Sequence, residues 1–514
     1  MRASVSHLLL GGLIVSCIPL AGCFDENGND IFGLVGGSTS TATDGVFAGG
    51  AFTQQLIQER TFVDGKAVTT TTHLTGDLTR RPIGIDFNSD GKIDPVVGYG
   101  ETQAVIQILL SQGGIGTVDY TSLTLDSKRD MEDLSDIAVG DIDGDGNLDI
   151  VASATFSCWY FHHPSDGDTT NMTAWGNPAP DDDLHERIDA SFDQISDSEL
   201  EALIAQAVGP QVNLDNYIIT IEQLYTNVEI ADMDNDGDND VLGSRLFSIL
   251  LQPKPEIPVE PIKIVDGDLL VFVNPGFAAD GHGWTQVSIG AHERQTRLDR
   301  DGATGLLIRD LDGDGDLDVI SGARDDNNVQ VAWFENPGGT LSVDNSWQQW
   351  RVGSVRDAFG LDTADLTGDG RIDIIATGGA QQQMLLFEQP AEGAKRSYDW
   401  DTHVIVTFQA FEPRDLKVVD IDNDGAPEIV CGATEGAVRY FESPADPRET
   451  WSGFIITNYT PPGEVGLLGY GDLDGDGDLD LITVVNSELD NDEKIGWIRN
   501  DVLTTAAAAE TPTQ

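Results

Sequence analysis

The chain has 514 residues, 39% of them hydrophobic, and carries 88 acidic against 28 basic residues, for a formal net charge of −60. That balance excludes nucleic acid and anionic membrane surfaces as natural partners, since both repel a protein this acidic. The apolar share excludes a disordered polyelectrolyte and leaves ample material for a core.

At the N-terminus, Arg2 and His7 precede an apolar run, LLLGGLIVSCIPL (8–20), followed by small residues. The run is too short to span a bilayer and has the layout of a cleaved signal peptide, 1–22. LAGC (20–23) resembles a bacterial lipobox, which implies that cleavage leaves Cys23 as an acylated first residue. Several acyl chains on one cysteine anchor firmly, where a single chain holds only marginally. The expected location is the outer membrane or cell surface, with the periplasm or secretion as alternatives, and the membrane is met through this lipid alone. Residues 23–65, rich in Gly, Ser and Thr over 24–45, read as a flexible tether, and 501–514 as a disordered tail. Of the four cysteines, Cys17 leaves with the signal. Cys158 and Cys431 fall on strands of different repeats and are expected as buried thiols, not a disulfide.

Between tether and tail one phrase recurs seven times: DFNSDGKIDP, DIDGDGNLDI, DMDNDGDNDV, DLDGDGDLDV, DLTGDGRIDI, DIDNDGAPEI and DLDGDGDLDL, starting at 86, 141, 232, 310, 365, 420 and 472. The intervals are 55, 91, 78, 55, 55 and 52 residues, a period near 55 broken by two insertions. That period suits one four-stranded propeller blade. Around each loop, four strand signals can be lettered. Strand A precedes it, as in LLIRDL (306–311), and strand B follows it, as in IDIIATG (372–378). Strand C comes third, as in VQVAWFENP (329–337), and strand D often opens near a tryptophan, as in WDTHVIV (400–406). The extra residues are expected near 165–215, between C and D of the second repeat, and at 252–267, between B and C of the third. The first insertion contains one helix signal, SDSELEALIAQAV (196–208), with a Ser196/Glu199 capping box. The last repeat stops after strand C, so an N-terminal strand, KAVTTTTHLTG (66–76), is expected to complete it and close the ring. The fold class is therefore all-β: a seven-bladed β-propeller over 66–500, closed by that strand, with one small helical insertion.

The loop residues have the chemistry of a cage for a hard cation, with Ca²⁺ the natural occupant, about seven sites in all. Place 1 is Asp86, Asp141, Asp232, Asp310, Asp365, Asp420 and Asp472. Place 3 is Asn88, Asp143, Asp234, Asp312, Thr367, Asp422 and Asp474, all oxygen donors. Place 5 is Asp90, Asp145, Asp236, Asp314, Asp369, Asp424 and Asp476, and place 9 is Asp94, Asp149, Asp240, Asp318, Asp373, Glu428 and Asp480. Place 7 is Lys92, Asn147, Asp238, Asp316, Arg371, Ala426 and Asp478, with no shared side-chain chemistry, as a backbone carbonyl ligand predicts. Place 6 is glycine throughout, where a chain turning around an ion needs positive φ. EF-hand loops open alike but need an acid at place 12 and flanking helices; here place 12 holds residues such as Val97, Ser321 and Cys431, and the flanks are strands.

These phrases resemble the FG-GAP and VCBS repeat family, which includes the propeller head of integrin α subunits; DLDGDGDLDVISGARDDNNVQVAWFENP (310–337) is similar to its bacterial branch. The resemblance covers about 67–500 and implies a seven-bladed propeller with calcium at the A–B loops, on the face opposite the ligand. The first and fifth loops depart at place 3, so their sites should be weakest.

No nucleophile motif, phosphate loop or zinc pattern stands out, so no catalytic residue is assigned. His162 and His163 read as a turn pair near the calcium face, and Trp333 and Phe334 as blade packing. The leading expectation is a surface binding or adhesion module for a glycan or protein. A structural lipoprotein and a propeller-type polysaccharide lyase or hydrolase remain open. The D–A loops, near 76–82, 124–136, 222–227, 290–304, 353–359, 407–414 and 458–466, collect basic residues: Arg81, Arg129, Arg294, Arg297, Arg300, Arg356 and Arg414 are candidate contacts to acidic ligands. Ion pairs that stiffen those loops are the competing reading.

Overall fold

The computed structural model describes residues 83–99, 105–112, 120–126, 134–154, 157–164, 167–171, 213–254, 261–276, 284–292, 303–323, 330–342, 347–391, 395–396, 399–409, 411–422, 424–459, 464–487 and 492–500, with strands 8–10, 13–18, 21–24, 52–63 and 66–67 and the pieces 175, 186–187 and 204–205. Seven antiparallel sheets follow one another in the order A-B-C-D. Blade 1 is Ile83–Ile85, Asp94–Tyr99, Val105–Ser111 and Tyr120–Asp126; blade 2 is Asp136–Gly140, Asp149–Ala154, Ser157–Phe161 and Glu186–Arg187. Blade 3 is Tyr217–Ala231, Asp240–Pro253, Ile262–Val273 and Thr285–Gly290; blade 4 is Ala303–Arg309, Asp318–Ala323, Val331–Glu335 and Gln348–Gly353. Blade 5 is Ala358–Ala364, Asp373–Gly378, Gln383–Glu388 and Asp401–Thr407; blade 6 is Pro413–Val419, Glu428–Ala433, Ala437–Glu442 and Ser452–Asn458. Blade 7 takes Glu464–Gly471, Asp480–Ser487 and Asp492–Asn500 from the C-terminal end and Phe52–Val63 from the N-terminal end.

Hydrophobic packing makes a ring of these sheets. Each of seven apolar clusters joins two neighbouring blades, and the seventh, in which Val97 and Leu109 meet Ile482, Ile495 and Trp497, joins blade 7 to blade 1. Strand B is the keystone. In blade 4, Val319 faces the cluster shared with blade 3 while Ile320 faces the one shared with blade 5. Strands covered on both faces read as continuous apolar runs, and the B strands of blades 2, 4, 5 and 6 are buried at every position. Trp333 and Phe334 of strand C are fully buried in opposite clusters, as expected of blade packing. Cys158 and Cys431 are buried and neither is in a disulfide.

Three expectations need correction. The ring is closed by Phe52–Val63, which pairs with Asp492–Asn500 from Asp492↔Thr61 to Asn500↔Phe52, so the closing strand precedes 66–76 and lies within the stretch read as tether. Residues 68–76 lie outside the described residues. Strand D is the exposed outer strand of a blade, as in the alternating exposure of Ser452–Asn458, so little apolar patterning marks it and FTQQLIQERTFV passes for polar chain. In blade 2, strand D is Glu186–Arg187, paired with Tyr160 and Trp159, so the extra residues fall on both sides of it. In blade 3, residues 222–227 belong to strand A, and 252–253 and 262–267 belong to extended B and C strands, because Tyr217–Ala231, Asp240–Pro253 and Ile262–Val273 run on together as a long three-stranded tongue. The helix over 196–208 lies outside the described residues except Ile204 and Ala205, which are helical; Ile204 is buried against Ile249 and Leu251 of the tongue. No helix among the described residues is long and apolar enough to cross a membrane.

Candidate metal centres

All seven aspartate loops join strand A to strand B, and place 9 is in every case the first residue of strand B. The place-6 glycines, such as Gly146, Gly315 and Gly477, have φ of 88°, 97° and 93°, as the sharp turn requires. Place 4 is a second left-handed position, with Ser89 at 56° and Asn235 at 58° beside Gly144, Gly313, Gly368 and Gly475. The seven repeats carry only Ser, Asn or Gly at this place, a signal of that backbone conformation in the sequence itself. Place 1 takes the glycine N–H on its Oδ2 at 2.8–3.1 Å, from Gly91 to Asp86 through Gly477 to Asp472.

In five loops the carboxylates of places 1, 3 and 9 can bring oxygens within 4.8 Å of one another: Asp141/Asp143/Asp149, Asp232/Asp234/Asp240, Asp310/Asp312/Asp318, Asp420/Asp422/Glu428 and Asp472/Asp474/Asp480. The first and fifth loops, with Asn88 and Thr367 at place 3, do not supply three acids this way. The place-5 carboxylate accepts the place-7 N–H on Oδ1, as in Asn147 N to Asp145 at 2.8 Å and Asp316 N to Asp314 at 3.0 Å, and is not a member of these three-acid groups.

The donor set tests whether a cation fits. It contains oxygen only, and Oδ1 of Asp141, Asp234 and Asp420 is a buried acceptor with no hydrogen-bond donor among the described residues. A divalent ion satisfies such atoms where no N–H does. Clustered acids could hold metal ions here. Burial pushes the place-9 carboxyls up, to about 6 for Asp94 and Asp149, about 7 for Asp240, Asp318 and Asp480, and about 8 for Glu428, against the backbone N–H bonds that pull them down. Loops 4 and 7 also carry cations of the chain itself: Arg396 lies on Asp312, and Arg499 on Asp474 at 3.0 Å and Asp476 at 3.5 Å.

A feature that sequence reasoning missed ties these loops to their neighbours. The residue at the end of strand C, just past it in blades 3 to 5 and its last residue in blade 7, gives its backbone N–H to the place-9 carboxylate of its own blade: Asn274 to Asp240 at 2.8 Å, Asn336 to Asp318 at 2.9 Å, Gln389 to Asp373 at 3.0 Å and Asn500 to Asp480 at 2.7 Å. Its side-chain amide reaches back to the place-2 carbonyl of the preceding blade's loop, at Ile142, Met233, Leu311 and Ile421 in turn, at 2.8–3.0 Å. The place-2 side chains themselves are buried in the interface between the two blades. In blade 2, His163 gives its N–H to Asp149 and its ring bonds Thr169, whose hydroxyl reaches the Phe87 carbonyl. His162 lies 3.5 Å from Asp143, so the histidine pair does sit at the loop face. The recurring signal was the polar residue before proline in FVNP, FENP, FEQP and FHHP.

Of the D–A loop arginines, Arg81, Arg129, Arg294, Arg297 and Arg300 lie outside the described residues. Arg356 lies in the turn between blades 4 and 5. Arg414 is held among Asp357 at 3.8 Å, Glu412 at 3.3 Å and Glu464 at 2.8 Å, which is the loop-stiffening arrangement.

Residues 310–376 and 420–483 match the family model described as FG-GAP-like repeat. Among solved structures, the Dos1 propeller is similar over 78% of this chain and 74% of that one, at 10% identity and a TM-score of 0.38. No curated protein matches the chain.

Proposed function

The chain is an FG-GAP-repeat β-propeller, and on that premise we propose that it is an exported, lipid-anchored, calcium-stabilised module that binds a glycan or protein ligand at the cell surface. The observation that carries the calcium reading is the set of buried, donorless carboxylate oxygens inside all-oxygen loops. Places 1, 3, 5 and 9 would hold the ion with their side chains and place 7 with its carbonyl. Bound there, calcium supplies positive charge that neutralises clustered carboxylates. The chain supplies the rest: the glycines turn the loop, place 9 fixes it to strand B, and the amide after strand C fixes it to the next blade.

The binding reading is supported by architecture. Seven blades stacked in a ring send their D–A connections to the end away from the metal loops, where they can vary without disturbing the core. LAGC and the segment 24–51 support anchorage at Cys23 with the ring held off the membrane. Fold alone does not assign a ligand. The decisive experiment is a glycan and surface-protein array probed with the chain in calcium and again in chelator, with metal content measured alongside. Calcium-dependent capture of particular ligands with several bound ions per chain supports the reading. Two ions or fewer, or capture indifferent to calcium, overturns it. Cys23→Ser should move the protein to soluble fractions; retention in the membrane would sink the lipid anchor.

A further inference from the structure

The A strands line the axis of the ring, each meeting the A strand of the next blade, with Glu464–Gly471 meeting Ile83–Ile85 to complete the circle. At the metal-loop end of this channel lies a cavity of about 480 Å³, lined from blades 3 to 7 by residues that include Glu229, Arg309, Asp362, Lys417 and Tyr470. Its size falls within the range of about 300–1,000 Å³ usual for small-molecule sites.

Its charge is the unusual part. In a chain of net charge −60, two cations and two acids face each other here. The acids are not equivalent, because Asp362 already accepts the N–H groups of Val418 at 2.8 Å and Thr363 at 2.8 Å. Lys417 stands 3.5 Å from Asp415. Arg309 differs from both. Arg245, Arg371, Arg396, Arg448 and Arg499 each lie against an aspartate or glutamate, whereas no carboxylate among the described residues comes within ion-pair distance of Arg309. Its guanidinium is exposed, fixed by Nε to the Thr363 hydroxyl at 3.0 Å and by Nη1 to the Ile308 carbonyl at 2.8 Å, which leaves Nη2 uncommitted. An arginine fixed in place, which feels the charge of Asp362 but makes no ion pair with it, is a preorganised receptor for an anion from outside.

We propose that this cavity binds a small sugar acid, with Arg309 as the carboxylate receptor and Glu229 and Tyr470 as partners for ring hydroxyls. The site goes beyond the D–A loop face: it lies at the other end of the channel and takes a monomer where that face would take a polymer or protein. Recognition is by a charge-assisted pair, which contributes about 1.5–3 kcal/mol, or about tenfold to a hundredfold in affinity.

The test is calorimetric titration of the calcium-replete full chain with D-galacturonate and, separately, D-galactose. Galacturonate is expected to bind at least about tenfold more tightly than galactose. Arg309→Gln should erase that difference while leaving calcium content and melting temperature unchanged, and Arg309→Lys, which keeps charge without the fork, should fall between. Arg294, Arg297 and Arg300 replaced together by Gln should bind galacturonate as the parent does, which separates this site from the opposite face. Equal binding of the two sugars, parental binding by Arg309→Gln, or loss of galacturonate in the triple variant would each overturn the proposal.

Discussion

The side-chain amide of Asn336, just past strand C of blade 4, donates to the backbone carbonyl of Met233 in the metal loop of blade 3 at 2.9 Å. The same amide reaches the Leu317 carbonyl at 3.0 Å, and the backbone N–H of Asn336 serves Asp318 at 2.9 Å. One residue therefore joins two adjacent loops, and the pattern repeats around the ring with Asn274, Gln389 and Asn500. The metal loops form a laced rim, not seven separate turns.

Removing one lace should be felt in stability before function. Asn336→Ala leaves the Met233 and Leu317 carbonyls without their donor, at a cost of about 1–3 kcal/mol. Blade 6 offers the converse. Ser443 stands at this position, and its hydroxyl goes to the Pro444 carbonyl at 3.4 Å. Ser443→Asn is expected to add about 1 kcal/mol by supplying a donor toward the loop of blade 5. Thermal melts in saturating calcium check both, and the lace idea fails if Asn336→Ala melts with the parent.

Gly315 tests the loop geometry itself. Its φ is 97°, and a Cβ added there meets nothing within 4 Å, so any penalty is conformational and not steric. A β-branched residue at such φ costs about 1–3 kcal/mol. Gly315→Val should therefore abolish the fourth site and leave the rest of the propeller folded. Metal analysis should show one ion fewer per chain than the parent; an unchanged count would refute the turn described.

Much of this was legible in the sequence. The loops repeat because ion-cage chemistry constrains the side chains at places 1, 3, 5 and 9, so Asp310, Asp312 and Asp318 announce themselves without any knowledge of the fold. Strand B was legible for a different reason: residues such as Ile374 and Ile375 are buried on both faces, which forces an unbroken apolar run. Outer strands escaped because their exposed faces accept almost any residue, which is why Phe52–Val63 went unread as the closing strand. The laces escaped because an asparagine before proline carries no chemistry of its own; it acquires a role only when the next blade arrives.

His292 gives the fold a measurable acid sensitivity. It is buried, with Nε2 3.0 Å from the Ser321 hydroxyl and its ring edge-on to Phe334, and burial pushes it down from 6.5 to about 4. Unfolded, the imidazole takes a proton below about pH 6.5; folded, it resists until about pH 4. The unfolded state therefore binds more protons in that window, so stability is whole above it and is lost as pH falls, by up to about 3 kcal/mol. His292→Gln keeps a polar partner for Ser321 and cannot titrate. The difference in unfolding free energy between parent and variant should shrink or reverse between pH 7 and pH 4.5. A constant difference would mean that His292 is not held neutral.

The closing strand makes the sharpest claim about the whole molecule. Phe52–Val63, with Lys66–Ala67 paired to its end, comes from the opposite end of the chain to the rest of its sheet, and its pairing with Asp492–Asn500 runs through Gly496↔Leu56 and Trp497↔Gln55. A chain beginning at residue 50 retains the strand and should melt cooperatively as the full chain does. A chain beginning at residue 66, where the sequence alone would draw the boundary, leaves blade 7 with three strands and exposes the backbone edge of Asp492–Asn500. Open edges invite pairing with another copy. The shorter chain should therefore melt at lower temperature, be cut by protease near 487–500, and elute as oligomers, and a separate 50–65 peptide should restore part of the loss. If the chain beginning at 66 is monomeric and as stable as the one beginning at 50, the ring is closed by something other than this strand.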